Sequence, residues 1–155
     1  MYEMYINFEK EHGSQEEIDE VVLGERRNLY KDQIAKNPLN YDAWLNLVFL
    51  EEATKKIDRI REVYEAAIQQ KPPAEEKRFW RRYMYLWYNY ALFEEELAQD
   101  LQKAEAVYTR AMALVPHKKF TFGKLWIFYA NFCLRCNDLE KARKTYGRAI
   151  GLNPK

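Results

Sequence analysis

The sequence predicts an all-α protein, a right-handed α-solenoid of about four helix pairs. Three observations carry that reading. First, one aromatic phrase recurs: Tyr2-x2-Tyr5-x2-Phe8-Glu9, Trp44-x2-Leu47-x2-Leu50-Glu51, Trp87-x2-Tyr90-x2-Phe93-Glu94 and Trp126-x2-Tyr129-x2-Phe132-Cys133, starting 42, 43 and 39 residues apart. Second, a tyrosine and a proline eight residues apart follow each phrase, as Tyr30 and Pro38, Tyr64 and Pro72, Tyr108 and Pro116, Tyr146 and Pro154. A period near 40 residues with two helical phrases per unit is how stacked helical repeats read in sequence. Third, the chain holds only 5 Gly and 5 Pro in 155 residues, too few turn-formers for an all-β protein. The repeats fall at about 1–38, 39–73, 74–117 and 118–155, within a single domain.

Each helix has a start and a stop. The first runs from about Tyr2 to Glu11 and ends at Gly13, a residue suited to a helix C-terminus. Ser14 and Glu17 then match a capping box, opening a long helix over about 15–36 that carries Gly24 internally. Pro38 cannot continue its hydrogen-bond ladder. The third covers about Tyr41–Ala53, the fourth about Ile57–Gln70 before Pro72-Pro73, and the fifth is extended, about Glu75–Leu97. Asp100 is an N-cap candidate for the sixth, which ends before Pro116. The seventh follows Thr121, Asn137-Asp138 separates it from the eighth, and that one stops at Asn153-Pro154.

Spacing also says which faces are buried. Apolar residues at i, i+3 and i+6 hold one stripe of a helix, so each aromatic phrase is a core face. In the second helices Val63, Tyr64, Ala67 and Ile68 share a stripe, repeated by Val107, Tyr108, Ala111 and Met112 and by Thr145, Tyr146, Ala149 and Ile150. A small residue three after the tyrosine lets helices approach closely; Gln33 takes that place in the first unit. Cys133 stands where the other units carry Glu. If that Glu pairs with a basic residue of the next helix, the fourth unit lacks the bond.

Composition narrows the function classes. Apolar residues make up 48% of the chain and aromatics 15%, enough for a core in thin repeats. The net charge is +1, from 25 basic and 24 acidic residues, so no global field draws in nucleic acid. No stretch supplies the ~18–20 apolar residues that span a bilayer, and no signal peptide is visible, so a membrane is not an expected partner and the expected compartment is cytosolic or nuclear.

Candidate chemistry is sparse. Cys133 and Cys136 have the spacing of a zinc half-site, but zinc needs four ligands and no second pair exists; they read as two small, partly buried residues one turn apart. His117 reads as a solvated loop histidine, without a nucleophile beside it. Glu51-Glu52 and Glu94-Glu95-Glu96 are consecutive on a helix and point to different faces, so they make no acid–base pair. The expectation is no enzyme, no cofactor and no metal. One charged stretch stands out, Lys77-Arg78-Phe79-Trp80-Arg81-Arg82-Tyr83. On a helix Arg78, Arg81 and Arg82 share one face while Trp80, Tyr83, Trp87 and Tyr90 form another. Basic residues interleaved with aromatics can hold a single RNA strand, but the aromatics have core spacing, so the basic face reads first as a solvated face or a protein contact; Lys118 and Lys119 extend the strip if stacking brings their loop alongside.

The phrase Trp87 to Glu94, with Ala142 to Ile150 and a following proline, resembles the half-a-TPR (HAT) repeat. The resemblance spans essentially the whole chain, and non-repeat stretches such as Tyr85-Leu86-Trp87 and 116–122 resemble the pre-mRNA splicing members of the family. It implies a nuclear, non-catalytic scaffold of the spliceosome, in its Nineteen complex-associated core, whose partners are spliceosomal proteins with RNA contact as the alternative. A HAT scaffold of mRNA 3′-end processing is the other alternative. The chain opens inside an aromatic ladder and closes at a repeat boundary, so the expectation is a piece of a longer array that self-associates when isolated.

Overall fold

A computed structural model of the chain describes residues 15–152. Helix α1 spans Gln15–Lys36, α2 Tyr41–Thr54, α3 Ile57–Ile68, α4 Lys77–Leu92, α5 Leu101–Leu114, α6 Gly123–Arg135 and α7 Leu139–Leu152. Every regular element among the described residues is helical, as the repeat predicts. The expected helix Tyr2–Glu11, its Gly13 stop, the Ser14 half of the capping box and the Asn153-Pro154 stop lie outside the described residues.

Boundaries follow local chemistry. Asn40 caps α2, its Oδ1 accepting from the Ala43 N–H at 3.2 Å, and Asp100 caps α5 by accepting from the Lys103 N–H at 3.0 Å. Asp138 does the same for α7 through Lys141 N–H at 3.0 Å. Each cap satisfies one of the donors that a helix start leaves open. Helix α4 departs from expectation at both ends. It starts at Lys77, two residues later than Glu75, and its last turn, Phe93–Leu97, widens into a π-helix that closes with the Ala98 N–H on the Phe93 carbonyl at 3.0 Å.

One backbone feature fixes the turn inside each of the three helix pairs that the described residues complete. Lys55, Gln99 and Asn137 have φ of 59°, 55° and 62°, and each stands nine residues before the repeat tyrosine, Tyr64, Tyr108 or Tyr146. One left-handed residue reverses the chain after a helix. Short turns of this kind join α2 to α3, the π-turn to α5 and α6 to α7, and short connections make packed neighbours antiparallel.

The chain forms two compact units, one up to Gln70 and the other from Lys71. In the first, α2 packs against α1 and α3. Trp44, Leu47 and Leu50 of α2 are buried, as are Tyr64, Ala67 and Ile68 of α3. In the second, α5 packs against α4, the π-turn and α6, and α6 packs against α7. Trp87, Tyr90, Phe93, Trp126, Tyr129 and Phe132 are buried there together with Tyr108 and Ala111. The last helix departs from its stripe. Thr145 is buried, but Ile150 is 77% exposed.

Tryptophan does more than fill space. The Trp44 indole N–H donates to the Pro38 carbonyl at 2.9 Å, and that of Trp80 to the Ala74 carbonyl at 3.0 Å. Trp126 donates to Thr121 Oγ1 at 2.9 Å. Each is the fourth residue of its helix, so the ring ties the incoming loop to the first turn while its body enters the core.

Charges repeat in a second pattern. Glu51 is 1% exposed and lies between Arg27 of α1 and Arg59 of α3, the latter at 3.1 Å. Arg27 is three residues before Tyr30, and Arg59 eight after Glu51. In the last pair those places hold Glu105, three before Tyr108, and Lys141, eight after Cys133. Lys141 Nζ meets Glu105 Oε1 directly, and the Tyr129 hydroxyl donates to the same oxygen at 3.2 Å. The fourth unit therefore keeps an ion pair. The carboxylate has moved from the first helix to the preceding one, and Cys133 fills the vacated apolar space, where burial pushes its thiol pKa up.

Candidate interaction surface

The basic stretch owes its position to an insertion. Trp80 occupies the loop-tying place of Trp44 and Trp126, while Trp87 continues the ladder seven residues later. Helix α4 thus carries two extra turns at its N-terminus, and these hold Lys77, Arg78, Arg81 and Arg82. The expected division of faces is present: Trp80, Tyr83, Trp87 and Tyr90 are buried, and all four basic residues are exposed.

The arginines and lysines do not form one strip. Arg78 Nε donates to Glu76 at 2.9 Å, and its guanidinium lies over the Phe79 ring at 4.7 Å. Lys118 is exposed in the loop before α6, and Lys119 pairs with Glu75. That pairing brings the loop alongside the start of α4, but it places carboxylates among the cations. The lysine holds the Glu75 pKa below the usual carboxylate range, by hydrogen bond first and charge second.

Arg81 faces a different way, into an open cavity of about 340 Å³ between α4 and the start of α6. Lys77 and Lys124 join it at the rim, Tyr85, Tyr88 and Phe122 form the walls, and Met84 lies beneath. Lys77 and Arg81 are four apart and so share a helix face; the Lys77 ammonium sits 5.4 Å over the Phe122 ring. Tyr85 is 41% exposed, whereas Tyr88 is 7% exposed and its hydroxyl is buried without a hydrogen-bond partner. Burial, then the neighbouring Tyr85, raises the Tyr88 pKa.

The remaining sequence candidates have structural roles. Cys133 is buried and Cys136 exposed at the end of α6, both as free thiols. Among the described residues no cluster of three His, Cys, Asp or Glu side chains suits a metal ion. His117 is not a solvated loop residue. Its Nε2 is 2.8 Å from the Met112 carbonyl, so Nε2–H donates there, and Nδ1 shares a hydrogen bond with the Thr121 hydroxyl at 2.6 Å. With the Trp126 indole on Thr121 this closes a chain of hydrogen bonds that holds the ring in one orientation. Glu51 and Glu52 diverge as expected: Glu51 enters its ion cluster, and Glu52 accepts from the Tyr64 hydroxyl at 2.5 Å. Glu95 forms a two-pronged pair with Arg135 at 2.6 and 2.8 Å.

Comparison with known proteins agrees with this architecture. The chain is 48% identical over its whole length to crooked neck-like protein 1 of Dictyostelium discoideum, covering 22% of that protein. It is 50% identical over its whole length to pre-mRNA-splicing factor CLF1 of Paracoccidioides brasiliensis, covering 23%, and 47% identical to protein crooked neck of Drosophila melanogaster, covering 22%. The chain therefore spans less than a quarter of the length of these relatives. The model of the pre-mRNA-splicing factor Syf1/CNRKL1 N-terminal HAT repeat matches residues 26–154, and the chain belongs to that family.

Proposed function

We propose that this chain is a non-catalytic protein–protein interaction scaffold in pre-mRNA splicing, acting in the nucleus as a segment of a HAT-repeat array with units at about 1–38, 39–73, 74–117 and 118–155. Its setting would be the spliceosome, in the Nineteen complex-associated core, and its partners spliceosomal proteins. The observation that carries the reading is the match over the whole chain, at 47–50% identity, to relatives named as splicing factors or crooked neck proteins. The geometry supports it. Among the described residues aromatic side chains are buried in both compact units, the buried Glu51 is tied to Arg27 and Arg59, and the open features are an apolar cavity with a cationic rim and exposed side chains such as Phe79 and Tyr85. Such features suit docking of a helix or extended segment, with few residues carrying most of the affinity.

Crosslinking mass spectrometry of the native complex from nuclear extract tests this. Crosslinks from the lysines of these repeats to other splicing proteins are the expected result. Crosslinks confined to 3′-end-processing factors would move the scaffold to that machinery. Crosslinks to RNA alone, at Arg78, Arg81, Arg82, Lys118 or Lys119, would replace a protein scaffold with an RNA-binding one.

A further inference from the structure

The cavity beside α4 has the chemistry of a specific receptor, and we infer that it takes an acidic peptide segment bearing one apolar or aromatic side chain. This rests on the scaffold reading and names the partner class for one site. Two properties select the ligand. Lys77, Arg81 and Lys124 stand at the rim, and no carboxylate lines the cavity. Arg78 and Lys119, by contrast, have Glu76 and Glu75 as partners. The rim therefore has charge to offer to carboxylates of a partner, where basic residues near apolar walls give both steering and register. Below the rim, Met84, Tyr85, Tyr88 and Phe122 make an apolar recess, and about 340 Å³ accommodates a side chain as large as Phe or Trp.

The same geometry argues against a single RNA strand as occupant. Base stacking needs open ring faces. Here Tyr88 and Phe122 are buried, Tyr88 meets Phe128 edge to face at 85° and Lys77 lies over the Phe122 ring, so Tyr85 alone of the lining offers an exposed ring. A strand leaving the recess toward Arg78 and Lys119 would also meet Glu75 and Glu76, whose charge repels phosphate.

The test uses the 155-residue chain, isotopically labelled for NMR, with an array of fluorescent peptides holding one Phe, Leu, Met, Tyr or Trp between acidic flanks. A single-stranded oligouridylate serves as the RNA probe. Acidic peptides with an apolar centre should bind and shift the Gly123 and Lys124 amides, and lysine-flanked versions should not. Arg81→Glu and Lys124→Glu should each weaken binding at least about tenfold, with unchanged circular dichroism. Arg78→Glu, outside the recess, should change it less than about twofold. The proposal is overturned if no peptide of the array shifts those amides, if Arg81→Glu leaves binding unchanged, or if oligouridylate binds there more tightly than any peptide. Crosslinks to splicing proteins elsewhere on the chain would persist in all three cases, which separates failure of this site from failure of the scaffold reading.

Discussion

Single residues carry the repeat in ways that can be measured. Trp87 is 4% exposed, and the Arg110 guanidinium lies 5.4 Å over its ring. Replacing it with Ala removes the transfer gain and leaves a cavity, so Trp87→Ala should cost about 3–5 kcal/mol in denaturant melts. A change below about 1 kcal/mol would mean that the ring contributes little packing. The moved ion pair makes a sharper prediction. Glu105→Arg sets two cations against each other at Lys141 and should destabilise the fold. Adding Cys133→Glu to it rebuilds the Arg27–Glu51–Arg59 arrangement and should recover most of the loss, a coupling that a double-mutant cycle reads directly. Glu52 responds to pH in the opposite sense to a paired carboxylate. Burial raises its pKa, only partly offset by the Tyr64 hydrogen bond. A raised folded-state pKa means that the native state holds the proton more tightly, so stability from this group is present at low pH and is lost as pH rises through the folded value. Glu52→Gln keeps an acceptor for Tyr64 and removes the buried charge. Its stability relative to the parent should therefore rise from about pH 4 to pH 7; a difference that falls over that range would show the carboxylate to be stabilising.

At the scale of elements, two backbone positions await improvement. Gly147 lies inside α7, and a Cβ built on it meets nothing within 4 Å. Gly147→Ala should raise stability by about 0.5–1 kcal/mol, chiefly by restricting the unfolded chain. Gln99 holds φ of 55° between the π-turn and α5, a conformation that costs most side chains about 1–2 kcal/mol. Gln99→Gly should recover part of that, read as a higher melting temperature. These turns show where sequence reading stops. The aromatic ladders were legible because a helix repeats every 3.6 residues and buries one stripe. Of the three left-handed positions only Asn137 has a residue type that signals the conformation; Lys55 and Gln99 carry no such mark. Trp80 reads only as part of an apolar face, because Trp87 satisfies the ladder spacing and hides the two-turn insertion. The wide turn at Phe93–Leu97 left no mark in composition at all.

For the whole molecule, the family was legible and the site only in part. Arg81 was among the candidates because it sits in a basic run. Lys124 and Phe122 come more than 40 residues later, and no local pattern joins them to α4. His117 hides its role for the same reason: its charged neighbours Lys118 and Lys119 suggest solvent, while Met112, Thr121 and Trp126 reach it only through the fold. No described helix is long and apolar enough to cross a membrane. The claim of a splicing scaffold is tested most directly by depletion and add-back. Nuclear extract depleted of the full-length protein should fail to splice a reporter transcript, and the wild-type full-length protein should restore it. Full-length protein carrying Arg81→Glu with Lys124→Glu should restore it less well while remaining folded. Normal splicing in an extract from which the protein has been removed would contradict the account.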